Sequence, residues 1–572
     1  MNSSSFQIYN ASAGSGKTFT LVKEYLKVLF KSPFNDAYKN ALAITFTNKA
    51  VAEMKSRIIE NLKEFANESI LNNPTQMFDL VCLELDLKPN RVHDKSKKIL
   101  DSIIYNYAAF DVSTIDKFTQ KLIRTFAYDL KLPINFEVEL DTDQLLQKAV
   151  NNLIAKAGSE EKLTKTLVDF AIEKADEDKS WDVTFDFVKI AKLLIQENDL
   201  KYLKTLKDKT LEDFDALKAN IEQKIAVTEK EIIKLSRDAL TLIEECGLEH
   251  SDFSGGSRAY LPNYFIKLEK LDLNINFNVA WIVNIEEKPL YPVKSTSEEI
   301  KTIIDDIQTN LVALFNKTKK YVFELFLFKS IYKNLTPLSV LKHINSEVES
   351  IKDEQNLILI SEFNSIISSQ IKEQPAPFIY ERIGEKFKHY FIDEFQDTSQ
   401  MQWENLIPLL GNSLSSEHGS ALIVGDAKQA IYRWRGGKAE QFIDLFTNSN
   451  PFHIEKNVVD LPNNFRSSKS VVEFNNSFFN HVSNFALRHE SYKNLYIQSK
   501  QNIKQDLEGY VSISFLDLNE DEDRSEIYAK ETLSTINFCL NNGFSLSDIC
   551  VLVRYGKDGV VVSEYLSEHG LE

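Results

Sequence analysis

The stretch FQIYNASAGSGKTFTLVKEYLKVLFKSP, residues 6–33, leaves a chain few ways to fold. An apolar strand runs into a glycine loop and then into an amphipathic helix. Val22, Leu26 and Leu29 share one helix face, and Pro33 closes the run. Within it, Ala11, Ser12, Ala13, Gly14, Ser15, Gly16, Lys17 and Thr18 fit a phosphate-binding loop, with Ala11 standing at the usual first glycine. Gly14 and Gly16 let the backbone approach phosphate oxygens, and the N–H groups that open the helix carry partial positive charge. Lys17 would reach the β and γ phosphates of a nucleotide, and the Thr18 hydroxyl would ligate Mg²⁺. A flexible turn before an ordinary helix is the plainer alternative, and the strand and helix on either side argue against it.

The same alternation continues. ALAITFT reads as a second strand, followed by the helix NKAVAEMKSRIIENLKEF, then a short strand DVSTI and the helix DKFTQKLIRTFAYDL. It resumes at HYFIDEF and GSALIVGD after a long helical region. The expected fold class is therefore α/β: a parallel-sheet P-loop motor domain with a large helical insertion and the start of a second α/β domain. The expected boundaries are 1–124 and 376–460 for the two parts of the first motor domain, 125–375 for the insertion and 461–572 for the second domain. In the last of these, GYVSISFLDL and DICVLVR read as strands around a charged helix.

Composition matters at two points. With 84 acidic against 67 basic residues the formal net charge is -17, which argues weakly against a protein that coats nucleic acid. A local basic track survives that balance, because screening limits distant charges to about 10 Å. The four cysteines (Cys82, Cys246, Cys539, Cys550) lack metal-ligand spacing and read as buried thiols in a reducing compartment. With no membrane-length apolar run and no signal peptide, a cytoplasmic protein without membrane contact is expected.

HYFIDEFQDTSQ places Asp393 and Glu394 at the end of an apolar strand. Two carboxylates there repel each other and lose hydration, so a cation or a catalytic task is expected. Asp393 would hold Mg²⁺, and Glu394 would orient and deprotonate an attacking water. Read alone, the pair is also an acidic turn. GDAKQ follows another apolar strand and sets Gln429 at the same sheet edge, where a neutral amide can sense a γ-phosphate or the water. LPNNFRSS supplies Arg466, whose guanidinium could neutralise transition-state charge, although a lone arginine beside serines is usually a surface residue.

A second chemistry sits nearby. Thr45, Phe46, Thr47, Asn48 and Lys49 offer hydroxyl, amide and helix-start N–H groups suited to a sugar-phosphate backbone, with Phe46 free to stack on a base. YRWRGGK offers another such station in Trp434 and Arg435. An isolated aromatic is more often a core residue, but a core would not accept Trp434 between Arg433 and Arg435.

Taken in order, ASAGSGKTFTL, AITFTNKAVAEMKSRI, STIDKFTQKLIRTFA, FIDEFQDTSQMQW, IVGDAKQAIYRWRGG and LPNNFRSS resemble the motifs of superfamily 1 helicases of the UvrD/Rep type. The wording is most similar to the RecB/AddA branch. The resemblance implies RecA-like motor domains in an ATP-driven translocase that moves 3′ to 5′ on single-stranded DNA and unwinds duplex ends. It also implies a role in double-strand break repair and recombination, and a partner subunit in a helicase–nuclease complex. By that resemblance Lys17 and Thr18 serve nucleotide and Mg²⁺, Asp393 the metal, Glu394 the base, and Gln429 and Arg466 the γ-phosphate. Phe465 matches an aromatic that packs on adenine, and Phe46, Trp434 and Arg435 match the DNA track.

Some positions depart from the family pattern. The short leader leaves no room for the glutamine motif that reads adenine, Phe19 replaces a common arginine, and Asp116 replaces a common histidine and carries no assigned role. Later helicase motifs and a C-terminal nuclease do not follow, so a longer parent protein is expected. Two rival readings stay open: a nucleotide-dependent single-stranded DNA-binding fragment without turnover, and a P-loop ATPase acting on protein partners.

Overall fold

In the computed structural model, described for residues 5–571 apart from 131, 134, 140, 177–179, 207, 256–257, 374–385 and 518–522, ten strands are assigned. They are β1 (Phe6–Ala11), β2 (Ala41–Thr45), β3 (Val112–Thr114), β4 (Glu137–Glu139), β5 (Leu357–Leu359), β6 (His389–Ile392), β7 (Ser420–Gly425), β8 (Lys456–Leu461), β9 (Asn463–Asn464) and β10 (Asn502–Ile503). Six of them form one sheet in the order β3-β2-β6-β7-β1-β8, and every pair in it is parallel. Parallel strands point their C-terminal ends to one edge, and the loops after β1, β2, β6 and β7 all emerge there.

The strands alternate across the sheet. Tyr9 joins a core on one face with helix α1 (Lys17–Lys31) and helix α2 (Asn48–Phe65). Helices α3 (Gln76–Leu85) and α4 (Pro89–Tyr105) complete that layer. Helix α1 buries Leu21, Val22, Tyr25, Leu26, Leu29 and Phe30, the stripe its sequence spacing calls for. Each such side chain contributes about 1.5–3 kcal/mol on leaving water. Phe6 turns to the other face, where its ring meets Phe452 at 5.0 Å and Phe452 meets Trp403. Helix α5 (Ile115–Thr125) follows β3 and starts on a Thr114 cap.

Between β4 and β5 the chain is helical. Helices Leu211–Glu245 and Glu298–Ser339 share an apolar cluster that includes Ile232, Ile243, Leu311 and Phe315. The short β4–β5 ladder pairs Glu137 with Leu357, joining the two ends of this region in parallel. The expected boundary at 375/376 lies outside the described residues. Among the described residues no helix is long and apolar enough to cross a membrane.

The chain divides into two compact units, Met1–Leu461 and Pro462–Glu572. The second carries the β9–β10 pair and helices Lys469–Ala486, Arg524–Asn541 and Gly556–Glu568. Two sequence expectations are corrected here. Neither the described part of GYVSISFLDL nor DICVLVR forms a strand, and Phe515 and Leu552 are 94% and 90% exposed. Alternating apolar residues make a strand only where a neighbour completes the ladder, and no described residue pairs with either segment. Nor are the cysteines buried thiols: Cys550 is exposed, and Cys82, Cys246 and Cys539 are only partly covered.

Candidate functional site

The loop between β1 and α1 is built around two left-handed glycines, Gly14 at φ 75° and Gly16 at φ 82°. Gly16 is the residue before α1, and no side chain caps that helix end. The first amides of α1 therefore have no capping side chain and suit an anion. Ser15 is buried and tightens the loop: its amide donates to the Ser12 carbonyl at 3.2 Å, and its hydroxyl accepts from the Ser12 amide at 3.3 Å.

Lys17 emerges from the first turn of α1 and lies 3.3 Å from both carboxylate oxygens of Glu394. Strand β6 delivers that glutamate, and the Asp393 amide is fixed to the sheet through the Ile44 carbonyl at 2.9 Å. Glu394 itself sits at φ 51°, a left-handed conformation that costs a non-glycine residue energy and turns the chain sharply out of the strand. Its amide donates to Asp393 Oδ1 at 3.0 Å. Burial, and then the Glu394 carboxylate, push Asp393 up to about 7, against the pull of Lys17. A buried carboxyl so destabilised as an anion fits a divalent cation. Asp393 with the Thr18 hydroxyl would hold Mg²⁺, which would neutralise phosphate charge there.

From Glu394 a chain of polar contacts runs along the sheet edge. Gln396 is 1% exposed, and its Nε2 donates to Glu394 Oε2 at 2.7 Å. Its Oε1 accepts the Asp426 amide at 2.9 Å, at the end of β7. A Cβ on Gly425 would lie 2.9 Å from that oxygen and 3.0 Å from the Phe442 ring, so a larger residue there would push on the Gln396 contact. Asp426 is buried, accepts from Gln429 Nε2 at 2.6 Å and pairs with Lys428 at 2.8 Å. Asp397 is pushed up to about 6 by burial and then by Glu394, while the Ile431 and Tyr432 amides and Lys17 favour its charged form. Ser399 bridges to Gly437, and the Lys438 amide donates to the Thr398 carbonyl.

Five residues beyond Gln429, Trp434 is 72% exposed. The Phe46 ring stacks at a tilt on Tyr432 with centroids 4.5 Å apart, and Tyr432 lies 6.3 Å from Trp434. The Arg435 guanidinium lies 5.4 Å from the Phe46 ring centre and 5.8 Å from that of Trp434. Arg435 also approaches Asp116 at 3.9 Å, and Gln402 donates to Asp116 at 3.1 Å. Burial raises Asp116 while Arg435 and Gln402 oppose it. Asp116, given no role by its sequence, thus lies within ion-pair reach of the arginine.

The two stations expected from sequence, one after β2 and one after β7, form a single cluster of aromatic rings and a guanidinium. Thr47 caps α2 through its hydroxyl, which accepts the Ala50 amide at 3.1 Å, and Asn48 opens that helix. Thr45 is 1% exposed, and its hydroxyl donates to the Thr47 carbonyl, so it shapes the turn rather than facing a strand. Phe465 and Arg466 lie in the second unit on an exposed turn held by Asn464, whose side chain accepts the Arg466 amide at 2.9 Å. Sequence reasoning missed Gln396 and Asp397; the only signal was two polar residues directly after the apolar Phe395, which are buried here.

Residues 3–450 match the family described as UvrD/REP helicase N-terminal domain. Among curated proteins, the chain is similar to an ATP-dependent helicase/nuclease subunit of Clostridium botulinum, 24% identical over 91% of this chain and 42% of that protein. The protein of the same name from Natranaerobius thermophilus is 22% identical over 99% of this chain and 47% of its own length. That of Lactobacillus gasseri is 26% identical over 83% and 38%. The chain spans less than half the length of these relatives.

Proposed function

The chain belongs to the UvrD/REP helicase family, and from that premise we propose that it is the motor portion of a RecB/AddA-like ATP-dependent DNA helicase. In this reading it hydrolyses ATP with Mg²⁺, moves 3′ to 5′ on single-stranded DNA and opens duplex ends in double-strand break repair. A partner subunit completes a helicase–nuclease complex, as the names of the relatives suggest. Residues 461–572 would begin the second motor domain, and Arg466 and Phe465 keep the roles that their motif's resemblance implies, γ-phosphate sensing and base packing.

The observation that carries the proposal is the contact path Lys17–Glu394–Gln396–Asp426–Gln429, which ends five residues from Trp434. A γ-phosphate oxygen at Lys17 competes with Glu394 for the same ammonium. Glu394, released toward the water it orients, takes a proton from it, and Gln396 passes the change in position to the Asp426 amide. The loop from Gln429 to Arg435 then carries it to the rings that grip a base. Stacking contributes about 1–3 kcal/mol per base, enough to hold a strand without reading its sequence.

The test is the ATPase rate with and without single-stranded DNA across a salt series. Stimulation that weakens as salt rises supports the motor. Binding of DNA with negligible turnover would reduce this chain to a nucleotide-dependent binding module, and no DNA binding even at low salt would overturn the reading.

A further inference from the structure

Helix α2 starts beside the Phe46 cluster, and a cleft of about 500 Å³ runs along its outer side. Asn48 stands at its head, and Lys55, Lys63, Lys117 and Tyr107 line it, with Glu60 as the carboxylate in its wall. The Lys55 ammonium lies 5.0 Å from the Tyr107 ring centre and 5.7 Å from that of Phe110. The neighbouring acid, Asp111, is already engaged by Lys121 at 2.6 Å and Lys386 at 2.7 Å. Burial and then the charges of Lys117 and Lys121 hold Lys55 below its ordinary value, against the attraction of Asp111. Three lysines and one glutamate thus line the cleft, on a chain whose net charge is -17. A solvated surface lysine has no reason to be recessed, partly desolvated and set beside other ammonium groups; a site for a polyanion does.

We propose that this cleft is a further nucleic-acid subsite, taking the phosphodiester backbone of a single strand that continues past the Phe46–Asn48 station. The proposal rests on the motor reading and extends its track over the β3 edge of the sheet. Lys55, Lys63 and Lys117 neutralise successive phosphates, and Tyr107, 48% exposed, offers a ring to an unpaired base. Lysines and one aromatic, without paired amide or guanidinium forks aimed at base edges, suit a backbone read for charge rather than sequence.

Oligothymidylates of increasing length, bound to the chain over a salt series, test the subsite in the Lys55→Gln/Lys117→Gln double variant. Each lost phosphate contact lowers the log–log salt slope by about 0.7, so two contacts near 0.1 M salt amount to about 25-fold in affinity. The shortest oligomer that the wild type binds should keep its affinity, while longer ones lose about 25-fold and show a slope smaller by about 1.4. Unchanged affinity and slope for the long oligomers would overturn the subsite and leave the motor reading standing. An equal loss at every length would also overturn it, by placing the lysines in the Phe46 station. If the wild type binds no single strand at all, the motor reading fails first. Should the double variant lose nucleotide binding, Lys63→Gln, on the exposed face of α2, carries the same test at about 5-fold.

Discussion

Replacing Gln396 with methionine keeps the side chain's length and removes both of its hydrogen bonds. The Asp426 amide, now buried and unpaired, costs about 1–3 kcal/mol, and the lost bond to a charged carboxylate about 1.5–3 kcal/mol. Because the two share one side chain, their sum is not additive, and a net loss of about 2–4 kcal/mol is expected. Heat denaturation is a blunt reporter of that loss. The first unit holds 461 residues, and at about 2.1 cal/mol/K per residue its unfolding entropy is about 1 kcal/mol/K, so Tm falls by only about 2–4 °C. Turnover is sharper. If the bond to Glu394 aims the base, its loss lowers kcat by about 10- to 150-fold, with KM for ATP little changed because Gln396 touches the base and not the loop. A second readout is specific to coupling: single-stranded DNA affinity measured with and without a non-hydrolysable ATP analogue. In the wild type the two affinities should differ, and in Gln396→Met the ratio should approach one. A variant that keeps kcat within about two-fold of wild type, together with an intact ratio, would refute the relay.

The other expectations concern single residues. Glu394→Gln should abolish turnover while ATP still binds, measured by fluorescent-nucleotide titration beside a phosphate-release assay; surviving turnover would remove Glu394 as the base. Trp434→Ala should weaken single-stranded DNA binding by about 1–3 kcal/mol and leave nucleotide affinity nearly unchanged, and the opposite pattern would place Trp434 in the nucleotide site. His389, in β6 beside the Ser420 hydroxyl at 2.9 Å, is lowered to about 4 by burial and then by Lys31, Lys388 and His418. Its neutral form is favoured in the folded chain, so its contribution is full above about 6.5 and is lost as pH falls toward 4. In urea titrations, wild type should therefore lose up to about 3 kcal/mol more than His389→Asn between those limits, and parallel pH profiles would contradict the assignment.

The elements of the first unit could be read locally because each carries its own signal. The stripe Val22, Leu26 and Leu29 specifies α1, Thr47 and Thr114 start α2 and α5, and short apolar runs specify β1, β6 and β7. The candidate site was legible to the same degree, since Lys17, Asp393, Glu394, Gln429 and Trp434 each sit in a short motif whose chemistry is visible in one dimension. Illegible were the contacts among them. Glu394 meets Lys17 across 377 residues, and no spacing in the chain announces it.

What the sequence by itself determined is therefore the type of the sheet-layer elements in the first unit and the inventory of reactive groups, because periodicity, caps and turn residues act over a few bonds. Tertiary structure alone decided the order β3-β2-β6-β7-β1-β8, which sets the β1, β6 and β7 ends side by side and lets Gln396 span from Glu394 to Asp426. It merged Phe46, Tyr432 and Trp434 into one cluster and turned Thr45 inward. Among the described residues it left the apolar side chains near Phe515 and Leu552 outside any ladder. The physical reason is common to all of these. Burial and hydrogen bonding reward pairs that are distant along the chain, and which pairs meet depends on how the whole sheet assembles.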